Sequence, residues 1–313
     1  MKKTYYATCV SGLERAVEAQ LRRETGVIPE WSAEGAVLFR AEKEPNFLYL
    51  HNVFLVLHTM RGLPDLNAAV KKLLLAGDWL DRMPYDRVGQ PGKRFRIVTS
   101  VASMRGGRLE PVDMRYLSLL ERVICEHTGM RVCRERPDVE LWLTRCGGHA
   151  TVFAWRLSAA RAGKASGAEM RADLCGFMAV LAKAGGGSAV CLGGGEPLAR
   201  ALRASGCASV SERADAAACG GVADASADAV VGWLCREWRG GAEARATLLE
   251  ARRMLAANGR AVLLAPEGAP GIPLEAAPDQ AAGLDTLDCY ALRVGGRVRR
   301  LWVLAPPMPA EAR

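Results

Sequence analysis

Three consecutive glycines and a glutamate lie between an apolar run and an amphipathic run of residues. The apolar run Ser188–Leu192 has the length of a buried strand, and Pro197–Ser205 has the length of a helix. Glycines let a backbone approach a ligand closely, and a helix amino terminus favours negative charge. The candidate cofactor-binding residues are therefore Gly193, Gly194, Gly195 and Glu196. A tight turn without a ligand explains the same glycines, so both interpretations stay open.

A second group of candidate residues is basic. Arg94 and Arg96 alternate at the start of an apolar run, so they share one face of a strand. Arginine contacts phosphate in bidentate fashion, and a glycine turn admits a backbone to close range. As a set these residues favour RNA, although each one alone fits a solvated surface charge. The candidates are Lys93, Arg94, Arg96, Arg105, Arg108, Arg131, Arg134 and Arg136.

Cysteine and histidine could supply metal ligands or a nucleophile, but their spacing predicts neither. The ten cysteines contain no C-x-x-C pair, which argues against a zinc site and a disulfide framework. The four histidines are scattered at positions 51, 58, 127 and 149. The sequence therefore predicts no metal centre and no Ser/His/Asp or Cys/His arrangement.

The net charge of +8 is unevenly distributed along the chain. Residues 1–157 carry 24 Lys and Arg against 18 Asp and Glu, a net of +6, and the remaining 18 against 16 give +2. A basic excess on one half is typical of a phosphate-backbone partner, although an arginine-rich composition alone raises the isoelectric point. No apolar run reaches the ~18–20 residues of a membrane span, and no signal peptide is recognisable. We expect a cytoplasmic protein without a membrane segment.

Predicted elements divide the first half of the chain into two segments. Residues 1–64 have the order of a small β-α-β-α-β sandwich. Its elements are a strand at Tyr5–Val10, a helix at Gly12–Thr25, a strand at Ala36–Phe39, a helix at Asn46–Val53 and a strand at Leu55–Arg61. Residues 65–157 follow with a helix at Leu66–Leu75, a strand at Arg94–Val101, a helix at Asp113–Thr128 and strands at Val139–Leu143 and Thr151–Leu157.

A small, polar stretch at residues 158–168 is typical of a linker. Residues 169–307 then alternate between helix and strand and end in a hairpin, which predicts an open α/β sheet with an antiparallel edge. The helices are Glu169–Ala184, Pro197–Ser205 and Glu243–Ala256. The strands are Ser188–Leu192, Ala227–Trp233, Gly259–Ala265, Leu287–Val294 and Val298–Leu304.

The order strand, helix, glycine, basic extended stretch, Pro-Asp, strand, strand resembles the THUMP domain, an RNA-binding module of tRNA- and rRNA-modifying enzymes. Pro137-Asp138-Val139-Glu140-Leu141 stands at the position of its Pro-Asp signature. The opening TYYATCVSGLERAVEAQLRRETG resembles the ferredoxin-like domain that precedes THUMP in the guanine-N2 methyltransferases of tRNA and rRNA. The third segment has the outline of a class I S-adenosylmethionine methyltransferase domain.

This resemblance implies an α/β fold that is α+β in its N-terminal half. It comprises a ferredoxin-like domain at 1–64, a THUMP domain at 65–157, a linker at 158–168 and a reduced Rossmann-like methyltransferase domain at 169–307. The resemblance also implies that S-adenosylmethionine binds at the turn of Gly193–Glu196 and that tRNA or rRNA is the partner.

The chain departs from the family pattern at three places in the third segment. Cys191-Leu192 stands where the family has an acid in or after strand one. Only some twenty residues separate Cys207 from the next strand, which predicts the deletion of one α/β unit and leaves Glu212 and Asp215 without an assigned role. The Asn/Asp-Pro-Pro-Tyr/Phe tetrapeptide that holds the target amine in related enzymes is replaced by Gly232, Trp233, Leu234 and Cys235. No catalytic residue is therefore assigned.

Three functions fit these observations. The first is an RNA-binding protein of the THUMP methyltransferase family whose methyltransferase domain is inactive and has lost the cofactor, and the missing motifs favour it. The second is an active S-adenosylmethionine-dependent guanine-N2 RNA methyltransferase that uses substituted ligands. The third is a protein-interaction module whose basic charge is incidental. The sequence does not determine the oligomeric state.

Overall fold

The structure is a computed structural model that describes residues 2–33, 35–45, 48–84, 91–102, 111–146, 150–157, 170–233, 241–266, 283–294 and 297–307. The chain folds as two compact units. The first unit comprises Met1–Pro45 and Asn52–Ala162, and the second comprises Asn46–His51 and Gly163–Arg313.

The first unit is built on one eight-stranded mixed sheet with the strand order β2-β3-β1-β4-β8-β7-β5-β6. Its strands are β1 (Lys3–Thr8), β2 (Trp31–Ala33), β3 (Ala36–Ala41), β4 (Asn52–Met60), β5 (Arg94–Ala102), β6 (Arg131–Val132), β7 (Val139–Cys146) and β8 (Ala150–Arg156). Antiparallel pairing of β4 with β8 carries the sheet across the boundary predicted at residue 64. The domain boundaries within this unit therefore stay a prediction.

Three amphipathic helices belong to the first unit: α1 (Glu14–Thr25), α2 (Leu66–Ala76) and α3 (Met114–Thr128). Glycines at positions 26 and 129 end α1 and α3 in the left-handed conformation, which a residue without Cβ adopts at no cost. Asp65 caps α2 by accepting a hydrogen bond of 2.7 Å from the backbone N–H of Ala68. The buried faces of α2 and α3 pack against Phe95 and Leu141 in one core.

The helix predicted at Asn46–Val53 is wrong. Residues 48–51 form a turn, and β4 begins at Asn52. The turn belongs to the second unit, where the ring of Tyr49 lies edge-on to Phe177 at 6.2 Å between centroids. Tyr49 is only 2% exposed, so its burial in the second core determines the path of this segment. Tertiary packing has overridden local helix propensity here.

The second unit contains a six-stranded sheet with the order β10-β9-β11-β12-β14-β13. Strands β10, β9, β11 and β12 pair with one another in parallel, whereas β14 is antiparallel to both β12 and β13. The strands are β9 (Ser188–Leu192), β10 (Ser209–Arg213), β11 (Ala227–Trp233), β12 (Leu255–Pro266), β13 (Asp285–Val294) and β14 (Arg297–Ala305). The predicted α/β class with an antiparallel edge is confirmed.

The helices of the second unit are α4 (Ala172–Ala182), α5 (Gly195–Ala204) and α6 (Gly241–Met254). Leu248 and Met254 of α6 pack against Val230 and Leu263 on one face of the sheet. Among the helices that the structure describes, none is both long and apolar enough to cross a membrane. The described residues also contain no cluster of three or more His, Cys, Asp or Glu that could hold a metal ion.

Candidate functional site

The glycine turn after β9 joins the carboxyl ends of three parallel strands. The N–H of Gly193 donates to the carbonyl of Arg213 at the end of β10, at 2.9 Å. Gly193 has a φ of +63°, and a Cβ there would lie 3.1 Å from the carbonyl oxygen of Trp233 on β11. A Cβ on Gly194 would lie 2.4 Å from the side chain of Leu198. Packing of the turn itself therefore requires these two glycines, with or without a ligand.

The two acids nearest the turn are bound by arginines of α5. Glu196 accepts hydrogen bonds of 3.3 Å from Arg200 and from Arg203. Arg203 also donates to Glu212 of β10 at 2.9 Å. These hydrogen bonds raise the pKa of the Arg203 guanidinium, which therefore stays charged. Both carboxylates are partly neutralised before any ligand arrives.

Strand β10 is an element of the second unit that the sequence did not predict. It pairs with β9 in parallel register and sets Glu212 beside Cys191. One α/β unit is nevertheless absent, as predicted, because only a short 3₁₀ turn at Ala217–Cys219 separates β10 from β11. Asp215 accepts a hydrogen bond of 3.0 Å from the N–H of Ala218, which gives it a role in that turn.

Cysteines close to the turn are thiols rather than thiolates. Burial raises the pKa of Cys191 to about 11 and the pKa of Cys175, on α4, to about 12. A thiolate is the nucleophilic form of cysteine, so neither side chain is activated for covalent chemistry.

The end of β11 is the position at which the sequence resemblance predicts the replaced tetrapeptide. Gly232 lies against β9, where a Cβ would come within 2.7 Å of the carbonyl oxygen of Leu192. The next residue, Trp233, has the guanidinium carbon of Arg299 5.9 Å from its ring centroid. Arg299 belongs to β14, level with Pro266 at the end of β12. Leu234 and Cys235 lie outside the described residues.

Basic candidates of the first unit converge at the start of β5. Arg94 and Arg131 are register partners on β5 and β6. Arg96 lies two residues along β5 and donates to the carbonyl of Arg134 at 3.2 Å. Lys93 precedes the strand and accepts a backbone hydrogen bond of 2.9 Å from Arg131. The structure therefore brings together five of the residues that the sequence predicts to bind RNA. Arg105 and Arg108 lie outside the described residues.

Several of these side chains are held by carboxylates. Asp138, from the Pro-Asp signature, accepts hydrogen bonds of 3.2 Å from the side chain of Arg94 and of 2.9 Å from its N–H. Those bonds lower the pKa of Asp138. Glu121 is almost fully buried and binds Arg134 at 2.9 and 3.0 Å, although burial raises its pKa. The signature aspartate thus fixes the start of β5.

A charged network lies farther along the same strands. Arg96 and Arg156 both bind Glu140, the latter at 2.7 Å. Trp142 donates to the same carboxylate at 3.3 Å, and Asn52 accepts from Arg156 at 2.8 Å. Burial raises the pKa of Glu140, but the hydrogen bonds from Arg156 and Arg96 outweigh that effect and lower it. This arrangement holds Arg96 in place and leaves it less available to a ligand than predicted.

Two of the nominated arginines remain uncommitted. The side chains of Arg131 and Arg136 are exposed, and neither forms an ion pair with any residue that the structure describes. An arginine without a carboxylate partner keeps all its donors for a phosphate. These two residues are therefore the strongest RNA-binding candidates of the first unit.

Comparison with solved structures gives matches along the whole chain. TrmN from Thermus thermophilus matches with a TM-score of 0.64 and 16% identity over 98% of this chain and 100% of that one. A candidate methylase from Clostridium difficile 630 matches with a TM-score of 0.60 and 11% identity over 99% of each chain. SMU.472, a candidate methyltransferase solved with SAH, matches with a TM-score of 0.58 and 9% identity over 98% and 99% of the two chains.

The chain has the fold of TrmN and of these two candidate methylases.

No protein-family model matches the chain, and no curated protein matches its sequence. The TM-scores establish the shared fold. Identities of only 9–16% do not extend to function, so the chemistry has to be argued from the residues of the site. The resemblance drawn from the sequence is thus confirmed at the level of the fold.

The residues at the carboxyl ends of β9, β10 and β11 fit S-adenosylmethionine poorly. That cofactor carries a positive sulfonium and a positive ammonium group. In this chain, Glu196 and Glu212 are already engaged by Arg203, and the residues at the end of β9 are Cys191 and Leu192. The guanidinium of Arg299, from β14, lies beside Trp233 at the end of β11 and adds a positive charge where the cofactor's own charges would need a negative one. We therefore derive no reaction step through this cofactor.

Proposed function

We propose that this protein is a cytoplasmic protein that binds tRNA or rRNA through its first unit. We further propose that it does not methylate the bound RNA. The observation that carries the proposal is the residue content at the carboxyl ends of β9 and β11. Cys191, Leu192, Gly232 and Trp233 stand where the fold family places an acid and an amide-bearing tetrapeptide. An exocyclic amine needs a strong hydrogen-bond acceptor to hold it, and none of these four side chains carries an oxygen.

Binding is proposed to occur at the basic start of β5 and β6. Arg131 and Arg136 would contact phosphates directly, while Arg94 and Arg134 are oriented by Asp138 and Glu121. An arginine that is oriented by one carboxylate still presents donors on its other edge. The site reads folded RNA through its backbone, which predicts a strong salt dependence and little base specificity.

RNA binding is tested by fluorescence anisotropy with labelled tRNA and an rRNA helix across a series of salt concentrations. The double variant Arg131→Gln/Arg136→Gln should reduce the slope of log K against log salt by about 1.5, since each phosphate contact contributes about 0.7 to 0.9. The matched control is Arg22→Gln/Arg23→Gln, which removes two exposed arginines from α1 of the same unit. Equal slopes for the two double variants would contradict the proposed surface.

The absence of methylation is tested with S-adenosylmethionine that carries a labelled methyl group, incubated with the protein and with tRNA or rRNA. We expect no label in the RNA.

A competing function, an active guanine-N2 methyltransferase, is favoured by one observation: Glu212 lies at the end of β10 with a 40% exposed side chain, in a position to hold a ribose. Label in RNA that disappears in Glu212→Gln would establish that function instead. RNA binding that is absent or insensitive to salt would favour an interaction module.

A further inference from the structure

Arg299 is a half-buried cation without a carboxylate partner. In the part of the chain that the structure describes, it forms no ion pair, and its Nε–H has no hydrogen-bond acceptor. Burial lowers the pKa of its guanidinium, and the neighbouring charge of Arg297 lowers it further. A buried charge without a counterion is costly, so an anion supplied from outside the chain would stabilise this arrangement.

The ring of Trp233 lies beside the guanidinium of Arg299. Its ring centroid lies 5.9 Å from the central carbon of Arg299, within the range of a cation–π interaction. The indole N–H of Trp233 is itself buried without an acceptor among the described residues. Two kinds of donor, from a guanidinium and an indole, therefore remain unsatisfied at one place.

A second positive charge lies beside the first. Arg297 and Arg299 are two residues apart on β14, so their side chains leave the same side of the strand. Arg297 is exposed and makes no ion pair within the described ranges. Two guanidinium groups suit an oxyanion with more than one charged or hydrogen-bonding oxygen, and phosphate accepts arginine in bidentate fashion.

We propose that Trp233, Arg297 and Arg299 form a binding site for the phosphate group of a nucleotide, at the end of β11. The phosphate accepts hydrogen bonds from the two guanidinium groups, and Trp233 keeps Arg299 in the orientation that meets it. The ligand is either a free mononucleotide or a phosphodiester of RNA, which share this chemistry. The site does not depend on RNA binding by the first unit.

Isothermal titration of the full chain with three small ligands tests the site, in a buffer free of phosphate and sulfate. Adenosine monophosphate should bind at least about tenfold more tightly than adenosine, because a charge-assisted hydrogen bond is lost with the phosphate. Adenylyl-adenosine carries a phosphodiester and distinguishes the two sources. Tighter binding of the dinucleotide identifies an RNA segment as the ligand, and tighter binding of the monophosphate identifies a mononucleotide. These ligands are too small to report on the proposed RNA surface, whose anisotropy test is read separately.

Arg299→Gln should weaken the phosphate-bearing ligands by about tenfold or more and leave adenosine unchanged. The control is Arg260→Gln, which removes an arginine of β12 level with Ala229, near the start of β11. Arg299→Lys keeps the charge but not the planar donor pair, so it should weaken binding severalfold and serves if the glutamine variant does not fold. The proposal is overturned if neither phosphate-bearing ligand binds, if adenosine binds equally well, or if both Arg299 variants bind like the wild type.

Discussion

The two units contain the same pair of side chains in two different settings. In the first unit, the guanidinium carbon of Arg156 lies 6.0 Å from the ring centroid of Trp142. In the second, Arg299 lies 5.9 Å from the centroid of Trp233. The two distances are nearly equal, so the difference between the two sites lies in the other groups that each arginine contacts.

Arg156 has a carboxylate counterion within its own unit, and this separates it from Arg299. Glu140 and Asn52 accept from Arg156 at 2.7 and 2.8 Å. Arg299 has no acidic partner in the described residues, and burial lowers its pKa. A guanidinium with an internal counterion is a structural element, while one without a counterion is available to a ligand. The comparison separates arginines that hold the fold from one that we propose binds an anion.

Removing the carboxylate at the centre of the first network should have the largest effect. Glu140→Gln leaves Arg96 and Arg156 without their counterion, so we expect a loss of about 3 kcal/mol in local stability. Hydrogen exchange of the amides of β7 measures this loss. The control Glu126→Gln removes an exposed carboxylate 3.9 Å from Arg122 and should change stability by less than about 0.5 kcal/mol. Similar losses in both variants would contradict the structural role of the network.

Most regular elements could be predicted from the sequence because their signals are local. Apolar alternation identified β9 and β11 with their observed bounds, Ser188–Leu192 and Ala227–Trp233. Strand β10 escaped because it is an edge strand of five residues, SVSER, with only one apolar side chain. Its parallel pairing with β9 supplies the order that its own composition lacks. Strand β2, of three residues, is too short to produce a periodic signal.

The sequence located the basic residues but not their partners. Arg94 binds Asp138, and Arg96 binds Glu140, in both cases across 44 positions. Such pairs form only when β5 and β7 align, so neither charge pattern nor spacing predicts them. The contact between Trp233 and Arg299, 66 positions apart, could not be predicted for the same reason. The sequence shows only that an aromatic residue stands at the position of the replaced tetrapeptide.

A second test concerns the packing of the second unit, where Gly176 of α4 faces the turn before β4. A Cβ on Gly176 would lie 2.2 Å from the carbonyl oxygen of Leu48. Backbone atoms cannot move aside easily, so Gly176→Ala should cost about 1 to 3 kcal/mol despite the better helix propensity of alanine. Hydrogen exchange of α4 measures the loss. Gly185→Ala, whose Cβ would be 4.0 Å from the carbonyl of Ser205, is the tolerated control. A more stable Gly176→Ala would show that the turn does not pack there.

Acid should affect the first network in a defined direction. The pKa of Glu140 is lowered in the folded protein because its hydrogen bonds outweigh burial. Its contribution to stability is therefore full above the unfolded pKa, about 4.3, and is lost as pH falls through the lower folded pKa. Unfolding in urea between pH 6 and pH 3 should show a steeper loss for the wild type than for Glu140→Gln. Parallel curves would mean that Glu140 does not titrate in this range.

Two single variants replace the arginine of each stacked pair by methionine. The effect on stability should be the smallest of all for Arg299→Met in the second unit and much larger for Arg156→Met in the first. Arg156→Met removes one of the two arginines that bind the largely buried Glu140. We expect this to lower the free energy of unfolding by about 3 kcal/mol. Arg299→Met removes a charge that has no counterion among the described residues and replaces its cation–π contact with Trp233 by a sulfur–aromatic one. We therefore expect unchanged stability, or a gain of up to about 1 kcal/mol, in buffer without phosphate.

Thermal unfolding with and without added phosphate completes this comparison. Phosphate should raise the melting temperature of the wild type and of Arg156→Met but not that of Arg299→Met, because ligand binding stabilises only a protein that has the site. If Arg299→Met proves as destabilising as Arg156→Met, Arg299 has a counterion within the chain. Both arginines would then have internal counterions, and the proposed contrast between the Arg156–Trp142 pair and the Arg299–Trp233 pair would be contradicted.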